Sequence, residues 1–476
     1  MTCVRGLFIV LLKGITKMSG LREECGVFGI WSGNGTDVAH DIYCGLMSLQ
    51  HRGQESAGIA VCDTTGPEGN LCVHKDMGLV SEVFNEEIIN SLKGNIGIGH
   101  VRYSTTGGSS IENAQPLCYR YMKGTLSVVH NGNIVNASLL KDELMNEGMM
   151  FRATTDSEVI ATLVAKMRAR TGRIETAIKM AAAHLIGGYA IIIMSPRKLV
   201  AMRDPLGIKP LCLGRVNDGW VLASESCALH SIGAEFVRDV EPGEILCISG
   251  EGVTSDREMC GKKHAHCIFE YIYFSRLDSE IDGISVHASR INGGKALAKA
   301  YPIDADIVTG VPESGLAAAM GYSMGSGIPF ALAFHKNSYV GRTFIKPTIK
   351  ERRAGVLLKL NVIADVVKDK RVVLIDDSIV RGTTITNLIT MMRDAGAKEV
   401  HVRISSPPFL HPCYYGTDVP DNTQLIANNF SVEEIRKRIG ADSLGYMRLE
   451  DLSSMTGDLG LCRACFDGRY PTEINC

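Results

Sequence analysis

Short runs of crowded apolar side chains, separated by glycine- and asparagine-rich turns, fill the chain between residues 25 and 250. CGVFGIW, SAGIAVC, NIGIGHVRY, TLSVVHNG, YAIIIMS, KLVAMRD, WVLASES and GEILCIS each predict a strand, at the spacing of a layered sheet protein. Two stretches change period. Residues 137–149 and 157–185 place apolar residues three and four apart, which predicts helices, the second broken at Thr171-Gly172. Strands and helices mixed in this way predict an α+β layered domain.

Beyond about residue 280 the texture alternates. ALAKAYP, ADIVTGVP, ESGLAAAMGYSMG and IPFALAF read as helix, strand, helix, strand. RVVLIDDSIVRGTT then runs from a strand into a loop, followed by a helix at 385–395, Gly396 and the strand-like EVHVRISSPP. That alternation predicts an α/β parallel sheet with crossover connections. We therefore expect two domains of different fold, 25–260 and 261–476, with no internal repeat and no low-complexity tract.

Composition narrows the picture. A chain of 476 residues is too long for one ordinary domain, and 45% hydrophobic with 21% charged residues excludes a mainly disordered one. Fifty basic residues against 52 acidic ones leave −2, so no bulk positive charge points to nucleic acid or a membrane surface. The apolar stretch at 6–12 lacks a small-residue cleavage site and falls far short of the roughly 20 residues of a membrane span. Fifteen cysteines scattered over this length do not make a disulfide scaffold. A cytoplasmic protein is expected, its cysteines serving as nucleophile, metal ligands or core residues.

The densest chemistry lies in 372–384, VVLIDDSIVRGTT, where an apolar strand runs into Asp376 and Asp377 and then a loop that opens a helix. Such a loop offers backbone N–H groups and hydroxyls to a phosphate, helped by the helix N-terminus. Paired carboxylates at the strand end suit ribose hydroxyls or a bridging Mg²⁺. Two aspartates alone would read as an acidic turn; the whole run does not. It resembles the phosphoribosylpyrophosphate (PRPP) motif of the type I phosphoribosyltransferases. The resemblance implies that Asp376 and Asp377 hold ribose hydroxyls and metal, while Arg381, Gly382, Thr383 and Thr384 cradle the 5′-phosphate. Ser314, in ADIVTGVPESG, is expected beside the pyrophosphate and its Mg²⁺. Lys336, Tyr339, Arg342, Lys346, Lys350, Arg352, Arg353 and Lys359, with Glu351 the one acid among them, are expected to form a lid over the leaving pyrophosphate, and Lys336 and Tyr339 to touch substrate.

Cys25 opens an apolar run and by itself would be a packed core thiol. Its company differs: QHRGQESAG (50–58), GHVRYSTTG (99–107), HNGNIVN (130–136), TTDSEVI (154–160) and GGYA (187–190). In order and spacing these resemble the glutaminase domain of the class II, N-terminal-nucleophile amidotransferases, which implies a four-layer αββα fold. The resemblance makes Cys25 the nucleophile and its own α-amine, with a pKa near 8, the general base. Asn131 and Gly132 become oxyanion donors, Arg102 the fork for the glutamine α-carboxylate with Thr105 assisting, and Asp156 the acceptor for its α-ammonium. A free amine on Cys25 demands that the preceding 24 residues, or seven if Met18 is the start, be removed as a pro-segment.

A glutaminase joined to a PRPP-using half, with HCIFEYIYFSRLDS (266–279) between them, implies glutamine plus PRPP plus water giving 5-phosphoribosylamine, pyrophosphate and glutamate, the first committed step of purine (IMP) synthesis. Ammonia would pass inside the protein, with Tyr273 and Phe274 near its route. Feedback by purine nucleotides and a homotetramer are implied by the same resemblance. One branch carries a pro-segment together with a [4Fe–4S] cluster, which here assigns Cys247, Cys413, Cys462 and Cys465 as ligands. Four thiolates suit either that cluster or Zn²⁺, and the cluster is the expectation. The chain stops eleven residues after Cys465, earlier than the resemblance leads us to expect. Two other readings compete: a base-salvage phosphoribosyltransferase with a degenerate glutaminase half, and a regulatory protein that binds PRPP and nucleotides without turnover. Glutamine hydrolysis separates all three.

Overall fold

The computed structural model describes residues 24–65, 70–103, 108–337, 360–417, 419 and 422–474. The segment ahead of Glu24, Thr105, Tyr339 and every expected lid residue except Lys336 lie outside the described residues.

Within them, the first half stacks two antiparallel sheets of seven and six strands. Strand alternation sends each side chain to one of two faces. In Gly187–Ser195, Ala190, Ile192 and Met194 enter the core between the sheets, while Ile191 and Ile193 meet the helices Asp156–Arg170 and Ile174–Ala182. In Gly26–Trp31, Val27 faces the other sheet, and Phe28 and Ile30 pack on the helix Ala39–Ser48. Helix, sheet, sheet, helix is the αββα order expected of the resemblance. The chain breaks between the two helices at Thr171-Gly172, as the sequence pattern predicts.

Strands that the pattern did not single out are mostly sheet edges. Leu71–Met77 and Glu235–Asp239 border the seven-stranded sheet, and Leu117–Tyr121 and Gly252–Asp256 the six-stranded one. An edge strand exposes more of its length, so its sequence carries polar residues where an inner strand carries apolar ones.

The second half is a four-stranded parallel sheet in the order Ile307–Gly310, Arg371–Asp376, Glu399–Ile404, Ser443–Tyr446. Val308, Val373 and Ile375 face the helices Val286–Ala300 and Ser314–Ser326; Val372 and Leu374 face Thr383–Asp394 and Val432–Ile439. Burial on both faces explains the unbroken apolar run before Asp376. IPFALAF does not supply the expected strand of this sheet. Phe330 makes one bridge to Val308, and the chain then forms Phe334–Lys336, paired with Leu360–Val362. The halves meet where the Ala265 amide donates to the Leu206 carbonyl at 2.7 Å, beside His266–Cys267, which runs parallel to Leu461–Cys462. Among the described residues no helix is long and apolar enough to cross a membrane.

Candidate active sites

Cys25 precedes the strand Gly26–Trp31, whose neighbour Ile96–Arg102 ends beside it, Gly26 opposite Val101. That register delivers Arg102 and Tyr103 to the thiol. Cys25 Sγ lies 3.4 Å from the Tyr103 carbonyl and 3.5 Å from its amide nitrogen. Burial pushes the thiol up from its ordinary range, and the Tyr103 amide, Arg102 and Lys209 pull it only partly back. A buried thiol of this kind stays protonated at neutral pH, so a base must be supplied to make it a nucleophile.

The facing sheet brings the expected oxyanion donors. Asn131 and Gly132 sit on Gly124–Ile134, paired with Ala190 and Tyr189. Both polar atoms of the Asn131 amide are buried without a hydrogen-bond partner among the described residues. The Nδ2 donor is costly to bury unless something accepts from it, which is what a developing oxyanion would do. Arg102 donates to Glu55 at 2.7 Å. Asp156 accepts from the Ile134 amide at 2.9 Å and lies 3.6 Å from His130 Nδ1. Burial alone would raise the Asp156 carboxyl, but His130 and the backbone amides outweigh it and hold the pKa below its usual value.

Behind the thiol lies a buried charge knot that the sequence motifs did not reveal. Arg52 donates to the Cys25 carbonyl at 3.1 Å, to Glu225 at 2.6 Å and to both oxygens of Glu270 at 2.9 and 2.6 Å. Glu24 meets Lys209 at 2.5 Å and Arg52 at 3.4 Å and accepts from the Thr417 hydroxyl at 2.7 Å. Burial works against ionising Glu24, yet Lys209 and Arg52 keep its pKa lowered. Arg52 lies within the quoted QHRGQESAG, but nothing local shows that one of its partners, Glu270, comes from the junction segment.

At the far end of Arg371–Asp376, Asp376 and Asp377 are both nearly buried. Their carboxyls are pushed up, mainly by burial and for Asp376 also by its neighbour. Ser314 and Ser378 each donate to Asp377 at 2.5 Å, and Arg290 is the cation acting on it. Gly382, in the left-handed region at φ 84°, turns the chain into Thr383–Asp394, leaving Thr383 and Thr384 exposed at the helix start. Arg381 pairs with Gln424, and Lys336 with Glu313 at 3.0 Å. The fold thus gathers Ser314, Asp376, Asp377 and the 381–384 loop at one edge of the sheet, the ligand edge of open α/β folds.

The expected cysteine set needs one correction. Cys413, Cys462 and Cys465 line one cavity with Lys209, Phe269, Phe409, Tyr415 and Tyr470, and the fourth thiol there is Cys267. Cys247 lies elsewhere. Along Ile245–Ser249 it points with Ile245 into the layer under the helices, and its thiol donates to Glu175 at 3.4 Å. Along the strand, Leu246 and Ile248 face the core between the sheets and Cys247 falls on the helix side, so neither face turns it toward the other thiols. Cys267 instead sits opposite Cys462 in the parallel pair between the junction segment and the C-terminal part of the chain, while the Cys465 carbonyl accepts from the Leu410 and His411 amides that lead to Cys413. The signal was present, because Cys267 is the second residue of the HCIFEYIYFS segment. Burial pushes Cys462 up to about 12 and raises Cys267 and Cys465 as well.

A family model for a glutamine amidotransferase domain matches residues 100–231. The chain is similar to the amidophosphoribosyltransferase of Bacillus subtilis, 48% identical over 468 residues that cover 97% of this chain and 96% of that protein. It is equally similar to that of Methanocaldococcus jannaschii, 48% identical over 466 residues, 95% of this chain and 98% of the other. Among solved structures it matches an allosteric regulatory enzyme of purine biosynthesis with TM-score 0.87 at 47% identity, covering 94% and 97% of the two chains. The B. subtilis glutamine PRPP amidotransferase in complex with ADP and GMP matches with TM-score 0.86 at 48% identity, covering 94% and 98%.

Proposed function

Because this chain belongs to the amidophosphoribosyltransferase family, we propose that it makes 5-phosphoribosylamine from glutamine, PRPP and water, the first step of purine biosynthesis. One observation carries the reading: the chain is 48% identical to a named amidophosphoribosyltransferase over 97% of its own length and 96% of the relative's. Removal of the residues through Glu24 frees the Cys25 α-amine, which accepts the thiol proton. The thiolate attacks the glutamine amide carbon, and the oxyanion is met by the Asn131 amide and the Gly132 N–H. The C–N bond breaks as the ammonium returns its proton to the departing ammonia, and water then cleaves the thioester to glutamate. Arg102 and Asp156 select an amino acid over a plain amide, with Thr105 assisting.

Ammonia must reach the ribose unprotonated, so it travels within the protein past the Glu270–Phe274 segment. It attacks C1 of the ribose as the C1–O bond breaks and pyrophosphate leaves. Asp376 and Asp377 hold the ribose hydroxyls, Arg381, Gly382, Thr383 and Thr384 the 5′-phosphate, and Lys336 and Tyr339 the pyrophosphate side. Ser314, Asp376 and Asp377 offer the hard oxygen donors that Mg²⁺ requires, and the raised carboxyls are those of a pair in need of a cation. Mg²⁺ when bound neutralises charge on the departing pyrophosphate.

Cys267, Cys413, Cys462 and Cys465 suit a [4Fe–4S] cluster. They share a cavity, and four thiolates also satisfy Zn²⁺, so metal analysis together with absorbance near 400 nm decides between the two. Such a cluster fastens the junction segment, through Cys267, to the C-terminal part of the second half. A purine nucleotide's phosphate fits the same 381–384 loop, which accounts for feedback; a cytoplasmic homotetramer completes the reading.

The test compares wild type with Cys25→Ser. Glutamine-dependent synthesis should fall at least about a thousand-fold, while ammonia-dependent synthesis stays within about two-fold. Loss of both or of neither defeats the reading, and so does active enzyme whose mass shows residues still ahead of Cys25.

A further inference from the structure

The second half does not only receive ammonia; its loop at 413–417 touches the place where ammonia is made. Gly132, at φ 132°, is hemmed in on one side by its own sheet, since a Cβ there would fall 2.0 Å from the Gly188 carbonyl oxygen. The other side is closed from the second half. Gly416, at φ 106°, is so near that a Cβ on it would lie 2.9 Å from the Gly132 carbonyl carbon and 3.1 Å from its oxygen and Cα. Both figures are closer than side-chain carbons come to backbone, so two glycines in the left-handed region meet main chain to main chain. One residue on, the Asn133 side chain donates to the Tyr414 carbonyl at 2.9 Å. Tyr415 lies against Gly188, its Cβ 3.2 Å from where a Cβ of that glycine would be.

The same loop is pinned at its other points. The Tyr415 amide donates to Cys413 Sγ at 3.4 Å, and the Tyr415 hydroxyl shares a hydrogen bond with Thr472 at 2.8 Å. A displacement of Cys413 therefore has a short, packed path to the Gly132 peptide, with Gly416 as its last step.

We propose that Gly416 and the Asn133–Tyr414 hydrogen bond are positioning elements for the oxyanion site of the glutaminase half, so that the 413–417 loop sets the orientation of the Gly132 N–H. This rests on the reading of Asn131 and Gly132 as oxyanion donors. An oxyanion donor acts only over a narrow range of distance and direction, and a misplacement on the order of 1 Å costs about a hundred-fold in rate. The loop thus ties nitrogen release to the thiol cavity: whatever moves Cys413 also moves a group that stabilises charge at Cys25.

The experiment uses the mature full-length enzyme and two variants, Gly416→Ala and Asn133→Asp, the second being isosteric and unable to donate to the Tyr414 carbonyl. Glutamine hydrolysis is measured for kcat and KM. Inhibition is measured with glutamate γ-semialdehyde, which adds the Cys25 thiol across its carbonyl and leaves an oxyanion-like oxygen, and with glutamate, which makes no such adduct. Gly416→Ala should lower kcat about ten- to a hundred-fold with KM within about three-fold, and weaken the aldehyde in parallel while glutamate binding holds. Asn133→Asp should do the same more weakly, by roughly three- to ten-fold. Ammonia-dependent synthesis should stay within about two-fold in both. An unchanged ratio of aldehyde to glutamate affinity in both variants overturns the proposal, and so does an equal fall of glutamine- and ammonia-dependent activity. If Asn131→Ala itself leaves the aldehyde affinity unmoved, the oxyanion assignment beneath the proposal is what fails.

Discussion

Around Cys25 the charged side chains come already paired: Arg102 with Glu55, Asp156 with the Ile134 amide and His130, Arg52 with Glu225 and Glu270. At the end of Arg371–Asp376 two carboxyls come together with hydroxyls for company, both pushed up by burial. The first is largely a preset field, and the Asn131 amide in it has no hydrogen-bond partner among the described residues. The second, on the function proposed above, is completed by a cation and a polyphosphate. A reaction that develops one negative oxygen needs fixed dipoles, and one that handles a highly charged substrate is served by charges that the substrate completes.

The sharpest way to break this contrast is Asn131→Ala. We expect a loss of about a hundred- to a thousand-fold in glutamine-dependent kcat with ammonia-dependent synthesis intact, read by steady-state kinetics with each nitrogen source. A loss shared by both sources would mean that the first site is not separate.

Asp376→Asn should act the other way. Both nitrogen sources should lose on the order of ten- to a hundred-fold, together with sensitivity to Mg²⁺. The substrate-free protein should at the same time become more stable. Because the Asp376 carboxyl is raised in the folded state, the wild type loses stability as pH climbs from the unfolded carboxylate range through that raised pKa, and Asn removes the loss. Melting curves from pH 4 to 8 without Mg²⁺ would show it; parallel curves would contradict it.

The thiol cavity offers a third comparison. Cys267→Ser should abolish absorbance near 400 nm in anaerobically purified protein and lower the melting temperature by several degrees, roughly 2–4 °C per kcal/mol in a chain of this size or somewhat less. Cys247→Ser should leave the absorbance unchanged. The reverse result would restore Cys247 as a ligand.

The smallest effect concerns the layer behind Asn131. His100, fully buried with Nε2 3.0 Å from the His130 carbonyl, has its pKa lowered to about 3 by burial. The unfolded chain takes up a proton near pH 6.5 that the folded chain refuses, so stability present above that pH is lost as pH falls, about 1.4 kcal/mol by pH 5.5. His100→Gln should remove this slope in urea denaturation at pH 7 and 5.5, while an unchanged slope would place the acid sensitivity elsewhere.

Much of both sites could be read from neighbours in the chain. The residues 372–384 carry a strand, an acid pair, a glycine turn and a helix start in one continuous run, and each part is a local property of that run. Inner strands such as Gly187–Ser195 were legible because both faces are buried, whereas the edge strands, half in water, were not. The helix Ala39–Ser48 also escaped, since ten residues that include Gly45 give too few turns to establish a period.

By itself, then, the sequence determined the strand-and-helix texture of the two folds, the acid pair and the glycine turn after it, because periodicity and turn chemistry act between residues a few positions apart. The role of Cys25 came only from the resemblance of distant segments to a family. Only the tertiary structure decided that Cys267 and not Cys247 joins the other thiols, that Arg52 meets Glu270 of the junction, and that Gly416 rests on Gly132. Strand parity and the register between distant segments fix those meetings, and both are set by how the layers pack, which no short stretch of chain encodes alone.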